Sequence, residues 1–254
     1  MRRVLVWVSS GAASMVAARM VLASGRNDVE LVRCETGNED EDNYRFEADC
    51  EAWLGREITI IRSTEYADVP DVWERRKFMA SPYGAPCTTH MKVEPRLAFQ
   101  RPDDVHVFGY TADRLDAARF RSLQANYFEL KVEAPLITAG ITKAASLAMI
   151  ENAGIRLPRS YAMGFPNANC LKTGCVKATS PDYWSLFRKT FPDRFTAQAE
   201  RSRRIGARLV EIGGERRFLD ELPVDWPILN PISPACDFLC SIAEMEMVGD
   251  TVQT

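Results

Sequence analysis

Seven cysteines stand in this chain, and four of them fall into two close pairs. Cys170 and Cys175 have four residues between them, and Cys236 and Cys240 have three. Two such pairs of soft thiolates, brought together by folding, could hold zinc or an iron–sulfur cluster. If residues 236–240 are helical, their i,i+4 spacing puts both sulfurs on one face. Thiols that are simply buried are the competing reading, since Cys is among the most buried residue types. Cys87, after Pro86, is either a ligand in place of one of these four or a reactive thiol, which acts as a nucleophile only as thiolate. Cys34 and Cys50 lie in strand and helix core patterns and read as packing. An odd cysteine count in a chain of 254 residues does not suit a disulfide framework.

A second place for chemistry is the small-residue turn Ser9-Ser10-Gly11-Ala12-Ala13-Ser14. Such a turn lets backbone N–H groups approach an anion, while a following helix N-terminus adds partial positive charge and the serines add donors. An ordinary tight turn with an N-cap has the same composition, and neither a G-x-G-x-x-G nor a G-K-[ST] pattern is present. The histidines are His90 and His106. His106 alternates with Val105 and Val107 in a strand pattern and reads as structural or surface-facing, whereas His90, near Cys87, is a candidate to face a cleft. So few histidines argue against a Ser-His-Asp hydrolase.

The turn and the cysteines belong to a longer series of blocks. Val6-Trp7-Val8-Ser9-Ser10-Gly11-Ala12-Ala13-Ser14 is followed by Glu35-Thr36-Gly37-Asn38-Glu39, then Gly84-Ala85-Pro86-Cys87-Thr88-Thr89-His90-Met91-Lys92. Next come Gly109-Tyr110-Thr111-Ala112-Asp113-Arg114, Asn167-Ala168-Asn169-Cys170, Gly174-Cys175-Val176-Lys177 and Cys236-Asp237-Phe238-Leu239-Cys240. In this order the blocks resemble the phosphoadenosine-phosphosulfate (PAPS) reductase-like proteins of the adenine-nucleotide α-hydrolase (PP-loop) superfamily, and within them a phage and bacterial subgroup. The resemblance implies an adenine-nucleotide cleft at the carboxyl ends of parallel strands. Ser9, Ser10, Gly11 and Ser14 would hold the phosphate or sulfate end, with Gly109 in the same site. Thr36 and Gly37 would lie near the ribose or adenine, and Lys92 and Arg114 would be anion partners. Cys87 would be the catalytic thiol. Cys170, Cys175, Cys236 and Cys240 would hold a [4Fe–4S] cluster or zinc.

The implied function is reduction or sulfur transfer on PAPS, APS or ATP, with a thiol or electron-donor protein as partner and a homodimer as the assembly. Two departures bear on it. Ala13 stands where ATP pyrophosphatases with this loop carry an Asp that helps place Mg²⁺, and the C-terminal Glu-Cys-Gly-x-His block of authentic PAPS reductases is missing. An ATP-dependent sulfurtransferase acting on tRNA or DNA, and a nucleotide-binding regulatory protein without catalysis, are therefore the alternatives.

The elements that must position these residues follow from hydrophobic pattern. Short apolar runs at 4–8, 29–34, 57–61 and 105–110 read as buried parallel strands. Helical patterns lie between them: one from Met15 to a stop at Gly25, and one presenting Phe46, Cys50 and Trp53. Further helices are expected at 72–79, 91–100, 142–152 and 182–208. Strand–helix alternation over the first sixty or so residues predicts an α/β fold, a Rossmann-like parallel sheet sandwiched by helices. The expected organisation is a single domain over 1–254, with a nucleotide-binding α/β core at 1–155 and a Cys-rich helical region at 156–254.

Composition sets the outer limits. A net charge of −3 gives no bulk field for nucleic acid or anionic membrane. The arginines between Arg188 and Arg208, interspersed with acids, read as a solvated helix face before a nucleic-acid surface. No apolar run reaches the roughly 20 residues of a membrane span. The N-terminal apolar run is cut by Ser9 and Ser10, too short for a signal peptide, so a cytoplasmic enzyme is expected.

Overall fold

The computed structural model describes residues 2–81, 84–168 and 170–229. They divide into two compact units, each assembled from separated stretches of chain. Among the described residues, the first comprises 2–35, Glu41–Arg62 and Pro95–Pro158; the second comprises Thr36–Asp40, Ser63–Glu94 and 159–229. The strands are β1 (Val4–Trp7), β2 (Val29–Glu35), β3 (Ile58–Arg62), β4 (Val105–Phe108), β5 (Lys131–Glu133), β6 (Val210–Ile212) and β7 (Glu215–Arg217). The helices are α1 (Ala12–Ala23), α2 (Glu41–Leu54), α3 (Val69–Arg76), α4 (Pro86–Thr88), α5 (Glu94–Phe99), α6 (Arg114–Asn126), α7 (Pro135–Thr138), α8 (Lys143–Asn152), α9 (Arg159–Ala162), α10 (Pro181–Thr190) and α11 (Pro192–Ile205).

In the first unit β1 to β5 form one sheet in the order β3-β2-β1-β4-β5. Every pairing is parallel, as the strand–helix alternation predicts. The apolar strand runs are needed because helices cover a parallel sheet and leave it dry. Val4, Val6 and Val8 pack with Met15 and Ala18 of α1, Phe46 and Cys50 of α2, and Ile150 of α8. Each large apolar side chain so buried contributes roughly 1.5–3 kcal/mol. On the other face of β1, Leu5 pairs in register with His106 of β4, and the Trp7 indole N–H donates to His106 Nδ1 at 3.0 Å.

The second unit has an aromatic core. Trp73, Phe165, Tyr183, Trp184, Phe187 and Phe195 are buried together with Met79 and Met91. The helical stretch expected over 182–208 is two helices. Pro192 lacks the N–H to continue α10 and opens α11 at its first turn. The helix expected over 91–100 begins earlier, as a π-helical turn at Thr89–Val93 that runs into α5. The antiparallel pair β6–β7, which the hydrophobic pattern did not signal, is turned by Gly213 and Gly214, both at positive φ.

Candidate functional site

In the first unit the sheet order reverses at β1: β2 and β3 lie to one side, β4 and β5 to the other. Loops leaving the carboxyl ends of two strands that flank such a reversal diverge and leave a crevice, where open α/β sheets bind ligands. The loops here are Ser9–Gly11 after β1 and Gly109–Asp113 after β4, so the fold sets two of the sequence blocks side by side. Their approach is close, since a Cβ on Gly109 would stand 2.6 Å from the Ser14 Cα. Only glycine fits there.

The Ser9–Ser14 turn is held by its own hydroxyls. Ser14 Oγ accepts from the Ser9 N–H at 2.9 Å and lies 2.9 Å from the carbonyl oxygens of Ser9 and Gly11. Gly11 caps α1 with extended backbone and no side-chain bond. The first-turn N–H groups of a helix have no intrahelical acceptor, and α1 carries no acidic residue in that turn to compete for an anion. Ser9 is exposed, while Ser10 is buried and its hydroxyl donates to Glu47 Oε1 at 2.6 Å. Arg33 forms an ion pair with Glu47, its Nε 3.0 Å from Oε2, and also reaches Glu35 at 2.9 Å. Burial pushes the Glu47 carboxyl up, against the lowering effects of Arg33 and of the Ser10 hydroxyl. In the loop after β4, Thr111 is held by Asp113 and Asp116, and exposed Arg114 is the first residue of α6.

The second unit holds the other predicted residues. Gly37 has φ +68°, and a Cβ on it would meet Asp68 Cβ at 2.8 Å, so this turn requires glycine. Thr36 is buried and donates to Glu39 at 2.7 Å. The same turn is tied to the cysteine region. Lys172 Nζ donates to the Gly37 carbonyl at 3.1 Å, and Asn38 Nδ2 donates to Thr173 Oγ1 at 2.8 Å. Lys172 and Thr173 lie between Cys170 and Cys175. Cys175 is buried, and its N–H donates to the Tyr183 hydroxyl at 2.8 Å. Cys170 adopts φ +59°, a left-handed conformation uncommon for a non-glycine residue.

Cys87, on α4, and Cys170 both pack against the aromatic core that contains Cys175. Cys170 and Cys175 flank one turn, Cys175 buried and Cys170 half-buried; Cys236 and Cys240 lie outside the described residues, as does Asn169. Lys92 is half-buried in the π-helical turn. His90 is buried, with Nδ1 2.9 Å from Glu94 and its ring 4.8 Å from that of Tyr66. Among the described residues, Glu65, His90 and Glu94 alone bring three metal-ligating side chains within 4.8 Å of one another. Glu65 there is already paired with Arg75 at 3.2 Å.

Two arrangements were not apparent from sequence spacing: the Ser10–Glu47–Arg33 chain and the clamp of Lys172 and Thr173 on the Thr36–Asn38 turn. A buried Arg in a strand pattern and a Glu on the apolar side of a helix were the available signals. The basic stretch is largely engaged within the unit. Arg194 pairs with Asp40 at 3.4 Å, Arg203 with Asp220 at 2.6 Å, and Arg201 and Arg204 both with Glu74. Arg188 donates to the Leu222, Pro223 and Val224 carbonyls. Among the described residues, no helix is long and apolar enough to cross a membrane.

No protein-family model matches the chain, and no curated protein matches it in sequence. Solved structures do match in fold. The phosphoadenylyl-sulfate (PAPS) reductase from Candida auris, a phosphate complex, aligns at TM-score 0.50 and 13% identity over 67% of this chain and 82% of that one. The U34-tRNA thiolase NcsA from Methanococcus maripaludis, with its [4Fe-4S] cluster, aligns at TM-score 0.46 and 15% identity over 94% of this chain and 81% of that one.

Proposed function

We propose that this chain, which has a PAPS reductase-like fold, is an adenine-nucleotide-binding enzyme of sulfur chemistry. The Ser9–Ser14 turn receives the phosphate or sulfate end of PAPS, APS or ATP. The resemblance of the sequence blocks assigns Thr36 and Gly37 to the ribose or adenine, and Lys92 and Arg114 to the anionic groups. Arg suits this task because its planar fork binds phosphate oxygens in pairs. The observation that carries the reading is the place of the turn: a hydroxyl-braced loop at a helix N-terminus, packed against Gly109 where the parallel sheet reverses order.

The sulfur half of the reading rests on the thiols. The Cys87 thiolate is the nucleophile that attacks the sulfur of the bound sulfonucleotide, and the nucleotide phosphate leaves. Cys170 and Cys175, with Cys236 and Cys240, hold iron–sulfur or zinc. A cluster with one open iron can carry sulfur or electrons, whereas a four-thiolate zinc braces the fold. A thiolate of the partner protein then attacks the Cys87 sulfur of the resulting S-sulfonate and displaces sulfite, and a second partner thiol resolves the mixed disulfide, which frees Cys87 and leaves the partner oxidised to a disulfide. Reduction ranks ahead of ATP cleavage because Ala13 offers no carboxylate for Mg²⁺.

The test is calorimetric titration with PAPS, APS and ATP, paired with turnover. One of the three should bind, and Cys87→Ser should keep that affinity and lose turnover. No binding of any of them would sink the reading. Unchanged biological activity in Cys87→Ser would leave a nucleotide-binding regulatory protein in its place.

A further inference from the structure

The Ser10 hydroxyl points away from solvent, into the first unit, and ends on a buried carboxylate. That carboxylate, Glu47 of α2, is fixed from its other oxygen by Arg33 of β2. The chain continues outward: Arg33 reaches Glu35, and the Tyr44 hydroxyl donates to Glu35 at 3.3 Å. A turn residue, a helix and a strand are thus locked by charged groups that the core has excluded from water. Burying a carboxylate is costly unless it is paired and hydrogen-bonded. An apolar residue at 47 would pack under the turn at lower cost. It could not hold Ser10.

We propose that Glu47 is a positioning residue for the anion-binding turn, holding Ser10 so that the first-turn N–H groups of α1 stay aimed at the bound phosphate or sulfate. The inference rests on the nucleotide reading above. It adds that Ser10 acts inward, on Glu47, and leaves anion contact to Ser9 and the backbone. It also makes anion binding sensitive to the charge on Glu47. Around that group stand Arg33 and Glu35 from β2, Glu51 from its own helix, and Ser10 from the turn. With Glu35, Glu47 and Glu51 ionised, Arg33 is the one positive charge among these groups, leaving a net negative charge beneath the turn. A bound anion then favours protonated Glu47, so the complex takes up a proton and affinity falls as pH rises.

The experiment uses the full chain and whichever of PAPS, APS or ATP binds it most tightly. Dissociation constants are measured from pH 5.5 to 8.5 for the unmodified chain, Ser10→Ala and Glu47→Gln, with melting curves for all three. Ser10→Ala removes this buried hydrogen bond, so it should lower the melting midpoint by a few degrees and, in the still-folded chain, weaken binding on the order of tenfold through the released turn. Glu47→Gln keeps an acceptor for Ser10 and removes the charge. It should bind as the unmodified chain does at low pH and lose the decline at high pH that the unmodified chain shows beyond the ligand's own titration. Unmodified affinity in Ser10→Ala, or the same pH profile in a folded Glu47→Gln, would overturn the proposal. If Glu47→Gln does not fold, Ser10→Ala decides alone. A chain that binds none of the three nucleotides would overturn the nucleotide reading itself, and this inference with it.

Discussion

At Gly109, a methyl group would have to displace backbone, because its nearest neighbours are the Cα and N of Ser14 at 2.6 and 2.7 Å. Gly109→Ala should therefore cost about 1–3 kcal/mol, as overpacking does, and weaken nucleotide binding by shifting the start of α1. Urea unfolding and calorimetry on one preparation check both. His106 offers a second residue-scale outcome. Burial, with Arg96 nearby, pushes its pKa down from 6.5 to about 4. The folded state thus binds the proton less readily than the unfolded chain. The stability from neutral His106 is complete above pH 6.5 and is lost as pH falls toward 4. The full loss is about 3 kcal/mol, at 1.36 kcal/mol per unit. Unfolding midpoints across that window should decline less steeply in His106→Gln than in the unmodified chain, the carboxylates being common to both.

Elements are fixed by a few local devices. Asp68 caps α3 by accepting from the Asp71 N–H at 2.8 Å, and Asp68→Ala should cost about 1 kcal/mol in thermal unfolding. The turn between the paired cysteines is tighter. Gly174 has φ +74°, and a Cβ there would meet the Trp184 ring at 2.6 Å. Gly174→Ala should thus disturb the aromatic core and the Cys170–Cys175 turn together, lowering the melting midpoint and the bound metal. A fall in stability with full metal content would separate that turn from the metal.

At the scale of the whole molecule, the basic stretch of the described residues is largely ion-paired within its own unit. Arg194, Arg201, Arg203 and Arg204 are all ion-paired within the second unit. A nucleic-acid surface needs cations that can replace counterions on phosphate. Titration with tRNA or duplex DNA should therefore give a shallow salt dependence, a slope of magnitude no more than about 2. A steep slope would favour the sulfurtransferase acting on nucleic acid. The thiols make the complementary prediction. Protein purified without oxygen should carry iron with sulfide, or zinc, and Cys170→Ser should lose it.

The sequence by itself determined the alternation of strands and helices in the first unit. Each buried strand needed a continuous apolar run, and each covering helix needed an apolar face. It also marked Gly11, Gly37, Gly109 and Gly174, and the order of the blocks that resemble PAPS reductases. It misread 182–208 as one helix although Pro192 stands in it, and it passed over α6 and the Gly213–Gly214 hairpin, whose strands are too short to show a period. Only the tertiary structure decided which distant residues meet. Ser10, Arg33 and Glu47 come from a loop, a strand and a helix, and nothing in their spacing forces a contact. Parallel pairing of β1 with both β2 and β4 brings the Gly109 loop onto the Ser9 turn across about a hundred residues. Local periodicity reports which face of an element is apolar; which charged groups share one dry space depends on how those faces pack.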